Sequence, residues 1–175
     1  RRIQDDVLSS ISNALLDNCT LKSLCLDGYG EYIPSATVAN RGALFQLLHN
    51  PMCALEILHL YSVGLNNDSI ISIRNALANN SRLRELQLTR CHDVTTDGWV
   101  NFLTFPSNAK LEKLILVGNN INDYALDVFR ISLTNNCWLK DLHLGYFLDV
   151  TNAGWTAFSA VLRNPNTLLE KLHLA

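Results

Sequence analysis

Histidine and cysteine side chains, which can ligate metals, recur at one position of a repeated motif in this chain. The motif is L-x-x-L-x-L, and its fifth position holds Cys25, His59, His143 and His173. If the motifs lie side by side, His143 and His173 are neighbours, which raises the possibility of a metal site. No carboxylate or third ligand shares their position, and we expect Asp141 to be paired with Lys113 or Lys171. The sequence therefore favours no metal site.

A second interpretation of the same position is nucleophilic catalysis, with the Cys25 thiol beside the His59 imidazole. Nothing in the sequence orients that histidine, and no oxyanion-binding feature is visible. The motifs of phosphate-binding loops, dinucleotide-binding folds, α/β-hydrolases and zinc proteases are missing from the sequence. The sequence therefore predicts a protein that is not an enzyme and that needs no cofactor.

The composition is that of a folded protein with an ordinary surface. Of the 175 residues, 48% are hydrophobic and 17% are charged, which excludes a disordered tail. The net charge is −2, so the basic excess that is typical of nucleic-acid-binding proteins is missing. No apolar run reaches the length of about 18 residues that spans a bilayer, and we expect no membrane insertion. Five cysteines without a C-x-x-C pair indicate a reduced, intracellular and cytoplasmic protein.

The motif L-x-x-L-x-L organises the whole chain. It occurs six times, beginning at Leu21, Leu55, Leu83, Leu111, Leu139 and Leu169. Each motif alternates apolar and polar residues, which is typical of a strand, and helical spacing such as Ile70, Ile73 and Leu77 follows it. One strand and one helix cannot bury their own leucines, whereas stacked copies can. The sequence thus predicts one domain over residues 1–175: a right-handed α/β solenoid with about six parallel strands on the concave side and about six convex helices.

Two types of repeat alternate along the chain. Gly42, Gly98 and Gly154 recur at equal intervals, once in every second repeat, and Trp99 and Trp155 follow two of them. We expect each glycine to leave room for the close approach of a neighbouring helix, and we expect the tryptophans to pack in the core or in the convex shell rather than to bind a ligand.

Asparagine and threonine mark the helix ends. The predicted N-caps are Asn66, Thr95, Asn122 and Thr151. The predicted C-caps are the pairs Asn79–Asn80 and Asn135–Asn136, which tolerate the left-handed conformation.

The repeats resemble the ribonuclease-inhibitor-like class of leucine-rich repeats. The segment 111–121 matches the pattern L-x-x-L-x-L-x-x-N/C-x-L in full, and 83–91 matches it with the cysteine variant. Tyr29, Val63 and Phe147 stand at the N/C position elsewhere, so we expect the asparagine ladder of the family to be incomplete. The resemblance implies a curved interaction module that binds a protein partner.

The outward positions of the predicted strands divide into charged and mixed rows. At the second and third positions the charges alternate in sign from strand to strand, so we expect them to pair within the protein. The fifth and seventh positions, with the adjoining loops, are mixed and partly aromatic, as in protein-binding surfaces. The candidate partner-binding residues are Asp27, Tyr29, Tyr32, His59, Tyr61, Gln87, Thr89, Arg90, Ile115, Val117, His143 and Tyr146.

Two alternatives to a concave binding face remain open. The chain could be a structural or scaffold subunit that makes contacts through its convex helices and its ends. Exposed aromatic clusters around Trp99 and Trp155 would mark that role. Alternatively, because a GTPase-activating protein is built from the same class of repeat, Arg90 could reach a nucleotide site.

The ends of the chain carry a prediction of their own. The strand pattern at 169–174 has no polar cap, so its edge is open to pairing. We expect this chain to be an excerpt of a longer array, in which flanking repeats or another subunit cover the ends. The loop 27–35 either contacts the partner or packs onto its own solenoid.

Overall fold

The computed structural model describes residues 5–28, 42–50, 52–106, 109–135 and 138–175. The helices in these ranges are α1 (Asp5–Leu16), α2 (Gly42–His49), α3 (Asn67–Asn79), α4 (Thr96–Leu103), α5 (Asp123–Thr134) and α6 (Asn152–Phe158). The strands are β1 (Ser23–Asp27), β2 (Ile57–Tyr61), β3 (Glu85–Thr89), β4 (Lys113–Val117), β5 (Asp141–Gly145) and β6 (Lys171–Leu174). A 3₁₀ helix, Ser159–Arg163, follows α6. Among the described helices, none combines the length and the apolar character needed to cross a bilayer.

The strands form one parallel sheet in chain order, β1 to β6. Equivalent motif positions are paired, so that Leu86 lies between Leu58 and Leu114. The helices pack side by side in the same order. Each strand begins shortly after the first leucine of its motif, although backbone pairing starts one residue earlier, where Arg84 N donates to Glu56 O at 2.8 Å. This arrangement confirms the predicted α/β solenoid.

The core lies between the sheet and the helices. The inward leucines of the central strands, such as Leu58, Leu86 and Leu114, are fully buried, and Ile70 and Ile73 of α3 belong to the same core. Burial of each such side chain contributes about 1.5–3 kcal/mol to folding. The strict period of the leucines therefore becomes a continuous apolar layer that no single repeat has alone.

A series of aromatic rings crosses the third, fourth and fifth repeats inside this core. Successive rings have centroids 5.3–6.2 Å apart. In order, they belong to Trp99, Phe102, Phe105, Phe129, Phe158, Trp155 and Phe147. Trp99, Phe102 and Phe158 are buried, and Phe105 and Trp155 are partly buried. The aromatic clusters thus pack in the core, and the exposed apolar area that would mark a convex assembly surface is not found at them.

The glycines of α4 and α6 provide space, although a side chain uses it rather than a helix backbone. A Cβ on Gly98 would lie 2.2 Å from Asn67 Oδ1, and a Cβ on Gly154 would lie 2.0 Å from Asp123 Oδ1. Asp123 Oδ1 also accepts a hydrogen bond from Thr151 N at 2.8 Å. Each glycine therefore lets the first residue of the preceding helix brace the start of the next one.

The predicted N-caps are confirmed at three of four helices. The side chains of Asn66, Asn122 and Thr151 accept hydrogen bonds from the backbone of α3, α5 and α6. Thr95 makes no such bond. Its backbone N–H donates to Asn67 Oδ1 at 2.9 Å instead, which ties the start of α4 to α3.

The predicted left-handed C-caps are wrong at Asn80 and Asn135, and Asn136 lies outside the described residues. Asn80 is extended, with φ −84° and ψ 116°, and Asn135 is right-handed, with φ −104° and ψ −4°. Asn80 Oδ1 accepts hydrogen bonds from the backbone N–H groups of Arg82 and Leu83, and its Nδ2 donates to Leu48 O. The side chain, not a left-handed backbone, makes the turn from helix to strand and joins it to the preceding repeat.

The asparagine ladder is incomplete, as expected. Asn119 is buried; its Oδ1 accepts from Cys91 N and its Nδ2 donates to Leu88 O, both at 2.9 Å. Val63 and Phe147 place buried apolar side chains at the equivalent position. Tyr29, at that position in the first repeat, lies outside the described residues.

Candidate functional site

The second position of each strand motif carries charges that pair from repeat to repeat. Lys22 Nζ lies 2.9 Å from Glu56 Oε1, and the two oxygens of Glu112 contact Arg84 Nε at 3.5 Å and Lys140 Nζ at 3.2 Å. All of these side chains except Lys22 line, with the third-position charges, a groove of about 370 Å³ across the sheet. Each exposed ion pair contributes less than about 1 kcal/mol to stability. The main effect of the pairs is that each charge has an opposite charge beside it within the chain.

At the third position, Glu85 binds two side chains, Lys113 and His59. Its Oε1 lies 3.1 Å from Lys113 Nζ and 2.9 Å from His59 Nε2. Partial burial by itself would raise the pKa of Glu85, but hydrogen bonds from Lys113 and His59, together with their charges, outweigh it and lower the pKa. The expectation that nothing orients His59 is thus wrong. No hydrogen bond joins Cys25 to this imidazole in the described structure, so a nucleophile and base are not assembled there.

We expect Glu85→Gln to cost about 1 kcal/mol of stability at pH 7. Because the pKa of Glu85 is lowered on folding, its contribution is present above the usual value of 4.5 and is lost as the pH falls through the folded pKa. Urea unfolding of the two proteins between neutral and acid pH should show curves that converge at low pH. Glu56→Gln, which removes an exposed ion pair with Lys22, is the control and should cost only a few tenths of the roughly 1 kcal/mol expected for Glu85→Gln. A constant difference at every pH would contradict a charge effect.

Asp141 does not pair with Lys113 or Lys171 as predicted. Its Oδ1 lies 2.9 Å from His143 Nε2 and 4.0 Å from His173 Nε2. Lys113 is drawn instead to Glu85, whose side chain is one methylene longer than that of aspartate. The expectation that no carboxylate joins the two histidines is therefore wrong as well.

The seventh position is less open than the sequence suggests. Thr89 is buried, and its Oγ1 accepts a hydrogen bond from Gln87 Nε2 at 3.0 Å. Thr89 is therefore unavailable to a partner, and the Gln87 amide is engaged within its own strand. Tyr61 and Val117, on the strands at either side, remain half-buried.

A turn with positive φ follows each of the strands β2, β3, β4 and β5. Ser62, Arg90 and Tyr146 all have positive φ, 51°, 55° and 54°, and Gly118 stands at the equivalent position with φ 66°. Because the angle recurs at the same position of four repeats, it belongs to the repeat, and non-glycine residues at such angles cost about 1–2 kcal/mol each. The Arg90 guanidinium carbon lies 5.3 Å from the centroid of the Tyr61 ring, a cation–π contact.

Large apolar side chains stand exposed beside these turns. Tyr146 is 68% exposed and Leu148 is 96% exposed. We call the surface formed by Tyr61, Arg90, Val117, Tyr146 and Leu148 the strand-end edge. Along the seventh-position row of the sheet, Tyr61 is followed by the buried Thr89, then by Val117 and then by Gly145.

Leu148 was missed by the sequence interpretation, although a signal was present. It occupies the position that His92 and Asn120 hold in the two preceding repeats, so an apolar residue stands where the equivalent residues are polar and exposed. Of the other predicted residues, Asp27 pairs in register with Tyr61, and Ile115 is half-buried beside His143. Tyr29 and Tyr32, with most of the loop 27–35, lie outside the described residues.

Cys91, next to Arg90, offers no reactive group. Burial raises the pKa of its thiol to about 12, and the nearby charge of Asp93 adds to this. The thiol therefore stays protonated at neutral pH, and the exposed chemistry of this turn is that of the Arg90 side chain.

No protein-family model matches the chain, and no curated protein sequence matches it. Among solved structures, the chain is similar to a structure described as leiomodin-1 actin-binding site 2, with a TM-score of 0.64 and 17% sequence identity. The match covers 75% of this chain and 76% of that one. At this identity the likeness establishes the fold.

Proposed function

We propose that this chain is a non-catalytic protein-interaction module of the ribonuclease-inhibitor-like repeat class, and that it binds a protein partner through the strand-end edge. The observation that carries the proposal is the exposure of Tyr146 and Leu148 beside an arginine already held against Tyr61. Tyrosine and arginine are enriched among the side chains that anchor protein interfaces, especially where they are held in place before binding.

The distribution of charge supports the edge over the groove. In the groove, the charged side chains of Glu56, Arg84, Glu112 and Lys140 already have partners within the chain. A ligand there would have to break those pairs and replace them. At the strand-end edge the exposed surface is aromatic and aliphatic, so its removal from water favours binding.

The structural neighbour supports the same class of function and suggests a first probe. Its description names an actin-binding site, in a chain that shares this fold. Purified actin is therefore the first defined protein to test, ahead of partners captured from a lysate.

The edge is tested by photo-crosslinking with benzoylphenylalanine at residue 146, with the same probe at residue 131 as control. Ile131 is 49% exposed and lies in the last turn of α5, whereas the first residue of that helix, Asp123, is bonded to Thr151 near the strand-end edge. We expect actin or another single partner to crosslink through residue 146 and not through residue 131. Equal crosslinking at both positions would contradict the proposal.

Substitution gives the matching prediction for affinity. Leu148→Asp is expected to raise the Kd for that partner at least about 30-fold, the loss typical of an interface anchor. Leu162→Asp, an exposed leucine on the 3₁₀ helix, is the control and should leave the Kd unchanged.

The alternatives give opposite outcomes. A scaffold subunit that makes contacts through its helices would crosslink at residue 131 and lose its partner in Leu162→Asp. A GTPase-activating protein would stimulate GTP hydrolysis by a small GTPase, and Arg90→Ala would abolish the stimulation while Arg82→Ala, at another exposed arginine, would not.

A further inference from the structure

We infer that Asp141, His143 and His173 form a binding site for a divalent transition-metal ion. One ligand atom from each residue lies within 4.8 Å of the other two. Two imidazoles and a carboxylate are a ligand set that zinc, copper and related ions prefer. The inference does not depend on the proposed protein-binding function.

The distances between the ligand atoms are close to those that a metal ion requires. Bonds of about 2.0–2.2 Å in a tetrahedral arrangement place neighbouring ligand atoms about 3.3 Å apart. The Asp141 Oδ1 atom is 2.9 Å from His143 Nε2 and 4.0 Å from His173 Nε2. The two imidazole rings stack with centroids 3.9 Å apart and planes 25° apart, and both present Nε2 to the same carboxylate oxygen. Because an ion lies in the plane of each imidazole that binds it, the two rings must turn out of their stack for both Nε2 atoms to point at one ion.

The fold supplies two of the ligands together and holds the third beside them. Asp141 and His143 are two residues apart on β5, so their side chains leave the same face of the sheet. His173 pairs in register with His143 from β6. Since Lys113 pairs with Glu85, the contacts of the Asp141 carboxylate within the described structure are with the two histidines.

A second histidine–carboxylate pair in the same sheet provides a matched control. His59 Nε2 lies 2.9 Å from Glu85 Oε1, the same distance as in the His143–Asp141 pair, and the side chains of His59 and His143 are both 28% exposed. Glu85 also holds Lys113, and the neighbours of His59 on the two flanking strands are Cys25 and Gln87. Among the described residues, Cys25 does not come close enough to form a three-ligand group with His59 and Glu85. This pair therefore has the hydrogen bond of the proposed site without its third ligand.

Three protein ligands leave one tetrahedral position open. The site lies on the outward face of β5 and β6, where His173 is exposed. Water can therefore complete the coordination, and the ion can exchange with solvent.

The test is a titration of the intact chain with Co²⁺, followed by its visible absorption, and then displacement by Zn²⁺. We expect one equivalent to bind with the strong d–d bands of a four-coordinate nitrogen and oxygen site. His173→Ala and Asp141→Asn should each weaken binding at least about tenfold, while His59→Ala should leave it within twofold. His173 is exposed, so its replacement keeps the fold, which circular dichroism can verify.

Three results would overturn the inference. One is the absence of saturable binding by the wild-type chain. Another is an equal loss of affinity in His59→Ala. The third is a sulfur-to-cobalt charge-transfer band, which would assign binding to exposed thiols such as Cys19 and Cys25.

Discussion

Phe129→Ala is expected to cost about 3–5 kcal/mol of the free energy of unfolding, the range for a large aromatic side chain removed from a core. Phe129 is fully buried on α5, with the Phe105 ring on one side and the Phe158 ring on the other, each with its centroid 6.1 Å away. Its loss breaks the aromatic series in the middle. Because each repeat contacts only its neighbours, we expect the repeats on the two sides of α5 to unfold separately.

Urea unfolding monitored by circular dichroism measures both effects, the loss of stability and the splitting of the transition. Tyr124→Ala on the same helix removes an exposed aromatic ring and should change stability by less than about 0.5 kcal/mol. A single transition with a loss below about 1 kcal/mol would show that the neighbouring side chains refill the space and that the series does not couple the repeats.

Asn119→Ala is expected to cost about 2–4 kcal/mol. The change leaves the Cys91 N–H and the Leu88 carbonyl without their partner in a buried turn, and each unsatisfied group costs about 1–3 kcal/mol. The amide proton of Cys91 should also exchange with solvent much faster, because its hydrogen bond is lost.

Chemical unfolding and amide hydrogen exchange test this together. Asn120→Ala is the control, because that neighbouring side chain makes one exposed hydrogen bond to His92 O. Its cost should be about 0.5 kcal/mol, with Cys91 protected as before. Equal effects of the two substitutions would mean that water replaces the bonds of Asn119.

The repeat determined most of what could be predicted from the sequence. A nearly constant repeat length assigns each side chain to a row, and the observed register pairs those rows, as with Glu85 and Lys113. Placement in a row follows from backbone geometry alone. The N-caps Asn66 and Asn122 were likewise predicted, because they act on backbone groups in the first turn of their own helices.

What the sequence did not predict depends on competition among neighbours. Lys113 lies between Glu85 and Asp141, and side-chain length decides which carboxylate it joins. The left-handed residues after the strands were missed for a related reason. Ser62, Arg90 and Tyr146 carry no local signal for positive φ, and the stacking of the repeats imposes that angle.

The bracing of each glycine by the helix before it makes two repeats the smallest unit in which this solenoid can be lengthened or shortened. Asn67 fits beside Gly98, and Asp123 fits beside Gly154. Removal of the repeat that contains α4 would bring Asn67 against Leu126, the counterpart of those glycines, where no such space exists. Gene duplication or deletion of one odd and one even repeat together keeps a glycine beside the first residue of the preceding helix, so the length of this array can change without disturbing that contact only in such pairs.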